Sequence, residues 1–349
     1  MTTSRKAAGQ AARTAPAKAA KPGKSANTAN AAQIERLTAF YRSMSRIRHV
    51  ETALTRLFAN SEVPGFIHLS IGQEAVATGI AAALQPQDSL ATTHRGHGHV
   101  LARGMDVVGF MKEIMGREGG LCKGRGGSMH VADLSLGILG ANGIVGAGIP
   151  IALGSAMAHQ ARKTGGVAVA FFGDGAMAEG VLHETLNMAA LWKCPLLLVC
   201  ENNGWSEFSP TSRQFAAKLQ KLAEAFGVSY AHVDGNDVLA VADAAKRATE
   251  QLRAGKGPFV LECATTRVRG HFEGDPQKYR DSGELESVHE HDPITALRPK
   301  LQALGVDTAA IDSEIAAEVD AAVEAARADA LPTLERAIQD VYTVQESLA

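Results

Sequence analysis

Several features that mark other classes of protein are scarce or missing in this sequence. The 349 residues contain four cysteines and no Cys-x-x-Cys pair, which argues against disulfides and against a structural zinc site. No apolar run reaches the ~18 residues of a membrane span, and no signal peptide is visible. We therefore expect a cytoplasmic protein without a membrane anchor.

An excess of charge of one sign is also missing. Lys and Arg total 35 against 37 Asp and Glu, which gives a formal net charge of −2. Neither a nucleic acid nor an anionic membrane is therefore an expected partner. The P-loop motif GxxxxGK[ST] does not occur, which argues against a nucleotide switch or nucleotide-binding module, the competing hypothesis from another functional class.

Two regions of different composition follow one another along the chain. Residues 1–30 are rich in Ala and Lys and contain no acidic residue, so we expect a disordered extension. Residues 31–349 alternate short apolar runs with helical patterns. This alternation predicts a single α/β domain, with a parallel sheet covered by helices on both faces and a helical C-terminal part.

The most informative stretch lies between residues 167 and 203. Its pattern predicts a strand at Val167–Phe172, a helix from about Met177 to Trp192, and a second strand at Leu196–Cys200. The polar sequence GDG follows the first strand, and NN follows the second. Both clusters should therefore lie at the carboxyl edge of the sheet, where open α/β sheets bind ligands.

The residue types in these clusters suit one kind of ligand. Asp174 offers a carboxylate, and Asn203 offers an amide oxygen without further charge. Mg²⁺ prefers a few such oxygens together with phosphate oxygens and water. The turn at Gly175 and Ala176, which leads into the helix, presents backbone N–H groups to a phosphate. The stretch therefore predicts a metal–diphosphate site, although Asp-Gly alone is an ordinary turn.

Seven motifs occur in an order that resembles one known family. They are GFIHLSIGQEA, THRGHGH, GRGGSMH, GANGIVGAG, GDGAMAEG, ENN and RGHFEGDPQKYR. Over residues of about 33–340 the chain resembles the alpha subunit of the thiamine-dependent first component of 2-oxo acid and acetoin dehydrogenase complexes. The resemblance implies thiamine diphosphate and Mg²⁺ as cofactors. It implies Asp174, Asn203 and the backbone carbonyl of Trp205 as the metal ligands.

The resemblance also assigns residues to the two ends of the cofactor. It places Arg95 on the diphosphate, with His94 close to the same group, and Gly143 and Val145 at the aminopyrimidine end. From residue types alone, the Arg fork suits phosphate oxygens. Val145 would otherwise be read as a core residue.

Histidines form the remaining candidate positions. The resemblance places His68 near the reacting carbonyl and His271 in a loop over the active site, where an imidazole suits proton transfer near pH 7. Without it, His68 would be a partly buried loop residue. Likewise, the alternating His94, His97 and His99 would be ordinary polar residues of a loop or the ligands of a zinc cluster. We assign no role to His97 and His99.

The residues within these motifs also indicate a substrate and partner proteins. The segments GHFEGD, THRGHGH and SMHVADLS resemble acetoin dehydrogenase more than pyruvate dehydrogenase. A pyruvate or branched-chain 2-oxo acid dehydrogenase is the alternative. The resemblance then implies that acetoin, a small-molecule substrate, is cleaved and its acetyl unit passed to a lipoyl-bearing acyltransferase. In the family, the carboxylate facing the pyrimidine ring belongs to a beta subunit. We therefore expect a two-alpha, two-beta assembly that completes the site.

Overall fold

The computed structural model describes Met1 and residues 24–339, and its centre is a parallel sheet. The strands are β1 (Ser89–Ala91), β2 (Ile138–Gly140), β3 (Ala168–Gly173), β4 (Leu196–Asn202), β5 (Trp205–Ser206), β6 (Ser209–Pro210), β7 (Ser229–Asp234) and β8 (Phe259–Ala264). Six of them form the main sheet in the order β2-β1-β3-β4-β8-β7, and every pairing in it is parallel. Strands β5 and β6 form a separate antiparallel pair.

Helices fill most of the remaining described chain. They are α1 (Lys24–Ala59), α2 (Glu74–Ala81), α3 (His97–Ala102), α4 (Val107–Ile114), α5 (Gly148–Arg162), α6 (Gly180–Trp192), α7 (Leu219–Ala225), α8 (Val238–Arg253), α9 (Ser282–Ser287), α10 (Pro293–Ala303), α11 (Thr308–Arg327) and α12 (Leu334–Gln339). Among the described residues, no helix combines the length and the apolar character needed to cross a membrane.

The sheet carries a separate apolar core on each face. Along β3, Val169 and Phe171 pack into a core shared with α1, α2, α4, α8 and the C-terminal helices α10 and α11. The alternate residues Ala168, Ala170 and Phe172 pack into a second core with α5, α6 and α7. This alternation follows from the two-residue period of a strand. It confirms the prediction of a parallel α/β sheet covered by helices on both faces.

Several boundaries differ from the sequence-based prediction. Helix α1 begins at Lys24 rather than near Ala31, and residues 2–23 of the expected extension lie outside the described residues. The first turn after β3 is a separate 3₁₀ helix, Asp174–Ala178, so α6 starts only at Gly180. Strand β2 was not predicted, because three residues that end in glycine carry no readable period.

Candidate active site

All eleven residues that the sequence predicted for the site line one cavity of about 220 Å³ at the carboxyl edge of the sheet. They come from the ends of β1, β3 and β4, from strand β5 and from three loops. These residues are His68, His94, Arg95, Gly143, Val145, Asp174, Gly175, Ala176, Asn203, Trp205 and His271. Parallel strands β1, β3 and β4 are neighbours, which brings their carboxyl ends together.

Arg95 lies in the wall of the cavity with its guanidinium buried. One terminal nitrogen donates to the backbone carbonyl of Leu69 at 2.9 Å, and the other donates to that of His271 at 2.9 Å. Burial, and then the charge of Arg267, lower the pKa of Arg95 to about 9. These carbonyls hold the guanidinium in place without neutralising it.

Arg267 is a second buried cation of the cavity, and the sequence analysis missed it. Its side chain is only 1% exposed, and a terminal nitrogen donates to the hydroxyl of Tyr279 at 2.9 Å. Its Nε has no hydrogen-bond partner among the described residues. Burial lowers its pKa. Its position just after β8, at the same edge as Asp174 and Asn203, is the sequence signal that could have identified it.

Asp174 and Asn203, the two side chains predicted as metal ligands, both line the cavity. Asp174 is 2% exposed and accepts a hydrogen bond from the Thr211 hydroxyl. Burial raises the pKa of Asp174, while the hydrogen bond from Thr211 opposes that shift. The Asn203 amide nitrogen donates to Gln73 Oε1 at 3.1 Å, and its oxygen accepts the backbone N–H of Trp205 at 3.1 Å.

The glycine-rich segments form close approaches along the cavity. A Cβ at Gly175 would lie 2.3 Å from the Ser206 hydroxyl oxygen, so any larger residue there would require the Ser206 side chain to move. Gly143 and Val145 face the cavity from the loop before α5. Val145 is 48% exposed, so its alternative interpretation as a core residue is wrong.

Three imidazoles meet at the cavity wall. The ring centroids of His68 and His94 are 4.7 Å apart, those of His68 and His271 are 5.0 Å apart, and those of His94 and His271 are 5.5 Å apart. Burial, followed by the charge of Arg95, lowers their pKa values to about 3, 2 and 4 for His68, His94 and His271. All three rings are therefore neutral at pH 7.

The other two histidines of THRGHGH point away from this cluster, so the alternating histidines do not form a joint metal site. His97 Nδ1 lies 3.1 Å from a Glu51 carboxylate oxygen, and its Nε2 lies 2.7 Å from the Ser128 hydroxyl. His99 Nε2 lies 3.1 Å from Glu201, and the ring stacks on Phe171. Both imidazoles tie the turn that carries Arg95 to neighbouring elements.

Comparison with known proteins identifies the family. The family model described as "Dehydrogenase E1 component" matches residues 42–338. The chain belongs to this family. It is 44% identical over 316 residues to the alpha subunit of acetoin:2,6-dichlorophenolindophenol oxidoreductase from Cupriavidus necator, covering 88% of this chain and 94% of that protein.

Two further relatives of this E1 component have similar identity. The Bacillus subtilis protein of the same name is 43% identical over 312 residues, covering 88% of this chain and 93% of the relative. The alpha subunit of the pyruvate dehydrogenase E1 component from Zymomonas mobilis is 43% identical over 315 residues, covering 88% of each chain. The family membership makes the chain a thiamine-diphosphate-dependent oxidoreductase. Because these three relatives are all alpha subunits, they imply a beta-subunit partner for this chain.

The charges in the cavity of this E1 component fit a diphosphate. Among the described residues, no carboxylate lies within ion-pair distance of Arg95 or Arg267. A buried charge without a partner costs several kcal/mol, so the two guanidiniums favour an anionic ligand. The carboxylate of Asp174 and the amide oxygen of Asn203 are hard oxygen donors, which fit Mg²⁺.

Proposed function

We propose that this chain is the alpha subunit of a dehydrogenase that cleaves acetoin and passes the acetyl unit to a lipoyl-bearing acyltransferase. One observation carries the proposal: two buried arginines, a carboxylate and an amide oxygen face one another in a cavity that neutral imidazoles also line. Support for acetoin as the substrate comes from two relatives at 43% and 44% identity whose names include it.

The residues of the chain divide the binding of the cofactor between them. Arg95 and Arg267 would hold the diphosphate, and Asp174, Asn203 and the Trp205 carbonyl would hold Mg²⁺. Gly143 and Val145 support the aminopyrimidine end. When bound, thiamine diphosphate supplies the carbanion centre needed to cleave the bond beside a ketone carbonyl.

The imidazoles of His68 and His271 serve the substrate. Both are neutral at pH 7, so each ring offers one nitrogen that donates and one that accepts a hydrogen bond. We assign them to orienting the ketone and hydroxyl oxygens of acetoin and to moving the hydroxyl proton. Arg95 holds His271 through its backbone carbonyl, at 2.9 Å, which fixes the loop relative to the diphosphate site.

A second candidate substrate is pyruvate or a branched 2-oxo acid. It is favoured by the Zymomonas mobilis pyruvate dehydrogenase relative, whose identity of 43% equals that of the Bacillus subtilis acetoin relative. The same cavity residues serve either substrate, because both reactions begin at a ketone carbonyl.

The partner subunit supplies what this cavity needs at the pyrimidine ring. The carboxylates that line the cavity in the described chain are Asp174, Glu201 and Glu207. Of these, Asp174 serves the metal, and Glu201 is paired with His99 at 3.1 Å. We assign the pyrimidine carboxylate to the beta subunit, in a two-alpha, two-beta assembly.

The four free cysteines fit a reducing compartment, so we place the complex in the cytoplasm.

The test is a reconstituted assay with an artificial electron acceptor. The chain and its beta-type subunit are supplied with thiamine diphosphate and Mg²⁺, and kcat/KM is compared for acetoin, pyruvate and a branched 2-oxo acid. A preference for acetoin supports the proposal. A preference for pyruvate or the branched acid would move the chain to the second candidate.

A further inference from the structure

The three imidazoles of His68, His94 and His271 form a cluster that we call the imidazole triad. One nitrogen of each ring lies within 4.8 Å of those of the other two. The triad is built from three separate loops, because the residues lie at positions 68, 94 and 271 of the chain. The triad therefore forms only when the chain folds, and no local sequence motif reveals it.

Within the part of the chain that the structure describes, one buried atom of the triad has no hydrogen-bond partner. His68 is 8% exposed, lines the cavity, and its Nδ1 is buried without a hydrogen bond. A buried polar atom in this state is unfavourable, because it has lost its hydrogen bonds to water without replacement. A ligand that accepts the lone pair of an imidazole nitrogen would remove that cost, and metal ions are such ligands.

We propose that the imidazole triad is a binding site for a divalent transition-metal ion of the Zn²⁺ or Co²⁺ type. Three neutral imidazoles and one water make a four-coordinate set, with nitrogen–metal distances of about 2.0–2.1 Å. The nitrogens, which lie within 4.8 Å of one another, would have to approach more closely through rotation of the side chains. The lowered pKa values keep all three rings unprotonated at neutral pH, the form that ligates a metal.

This site differs in chemistry from that of Asp174 and Asn203. Imidazole nitrogens suit Zn²⁺, Co²⁺, Ni²⁺ and Cu²⁺, whereas carboxylate and amide oxygens suit Mg²⁺. The two sites therefore select different ions in the same cavity. Arg95 opposes a cation at the triad, because its guanidinium nitrogen lies 3.4 Å from His271 Nδ1. We expect weaker binding here than at a structural zinc site.

Occupancy of the triad has a consequence for activity that rests on the proposed function. A metal ion bound there engages His68 and His271, the imidazoles assigned to the substrate. Zn²⁺ should therefore inhibit the enzyme reversibly, and removal of Zn²⁺ followed by fresh Mg²⁺ should restore turnover. The binding itself does not depend on which substrate the enzyme uses.

The test is a titration of the full-length chain with Co²⁺, followed by its visible absorption. Excess Mg²⁺ is present to fill the oxygen site. We expect one Co²⁺ per chain with the intense spectrum of a low-coordinate nitrogen site, and displacement of it by Zn²⁺. His94→Asn and His68→Asn, each checked for folding by circular dichroism, should weaken Co²⁺ binding by at least ~10-fold.

Two control variants make the result specific. His232 is exposed on β7, so His232→Asn should bind Co²⁺ as wild type does. Asp174→Asn should also keep the spectrum, because it alters only the oxygen site. The proposal would be overturned by a pale six-coordinate spectrum in wild type. It would also be overturned if both triad variants, His94→Asn and His68→Asn, bound Co²⁺ with wild-type affinity. If the wild-type complex did not turn over acetoin, that would count against the proposed function. The expected Co²⁺ spectrum would be the same, so the two outcomes can be told apart.

Discussion

The guanidinium of Arg95 donates a hydrogen bond of 2.9 Å to the backbone carbonyl of His271. The two residues are 176 positions apart in sequence, yet they share one wall of the cavity. Arg95 therefore performs two tasks in this account. It offers charge to a diphosphate, and it fixes the loop whose imidazole is assigned to the substrate.

Arg95→Lys should separate charge from geometry. Lys keeps the positive charge but loses the fork that binds phosphate oxygens and both backbone carbonyls. We expect the dissociation constant for thiamine diphosphate to rise by roughly 10-fold, about 1.4 kcal/mol, as measured by calorimetric titration of the reconstituted complex. Arg56→Lys, at an exposed position of α1, is the matched control. Unchanged affinity in both Arg95→Lys and Arg95→Ala would show that Arg95 does not touch the cofactor.

Asp174→Ala should remove the anionic ligand of the metal site. Substitution of groups that merely orient a ligand costs about 10–100-fold in metal affinity, so loss of the ligand itself should exceed ~100-fold. The fold should remain intact, because burial raises the pKa of this carboxylate, which means that its charged form is disfavoured in the folded state. Calorimetry of the variant complex measures the effect, with the exposed Asp243→Ala as control. Wild-type affinity in Asp174→Ala would contradict the assignment.

His271→Ala should reduce turnover while leaving cofactor affinity close to normal. General acid–base groups typically contribute 10²–10⁴-fold, so we expect kcat to fall by roughly 100-fold in the assay with the artificial acceptor. The loop should stay in place, because the Arg95 bond is made to the backbone of residue 271 and survives in alanine. If the variant turns over at the wild-type rate, His271 has only a structural role.

The imidazole triad should make stability depend on pH in the acid range. The native pKa values of His68, His94 and His271 are about 3, 2 and 4, against about 6.5 in an unfolded chain. Between pH 4 and 6.5 the unfolded state therefore binds more protons than the native state. The free energy of unfolding should rise with pH through this window, by up to about 1.4 kcal/mol per pH unit for each group, and then level off.

Thermal or denaturant unfolding at a series of pH values checks this slope. His94→Asn removes one of the groups and should flatten the dependence, whereas His232→Asn, on the exposed side of β7, should not. An identical slope in wild type and His94→Asn would show that the ring of His94 is not held neutral by the fold.

The sequence predicted those parts of the fold and the site that depend on local pattern. Runs such as β3 and β4 are long and apolar enough to identify, and the polar residues after them were expected at one edge, where the structure places Asp174 and Asn203. Strand β2 was missed because three residues are too few to show a pattern, and only its pairing with the distant β1 defines it as a strand. The predicted start of α1 was late because the residues before Ala31 carry no apolar period.

The missed parts of the site depend on burial, which a sequence does not display. Arg267 looks like an ordinary loop arginine until the fold encloses its guanidinium. His97 and His99 had no assignment because their partners, Glu51, Ser128 and Glu201, come from distant positions. The imidazole triad likewise exists only once three loops have met.

We expect the site to be completed by a second subunit. A thiamine site needs a diphosphate anchor, a support for the bent cofactor and a carboxylate on the pyrimidine ring. The carboxylates lining this cavity in the described chain already have other assignments or, at Glu207, lie in the turn between β5 and β6. A stable assembly that supplies the missing group should bury a large apolar interface.

The most direct measurement is thiamine-dependent turnover of the purified chain with and without a beta-type subunit, combined with size-exclusion chromatography. An artificial electron acceptor reports the oxidation of acetoin or pyruvate, so the acyltransferase is not required. We predict no turnover by the chain alone, and turnover together with a two-alpha, two-beta species once the beta-type subunit is added. Substantial thiamine-dependent turnover by the chain alone would contradict the account, because it would require a complete site within this one subunit.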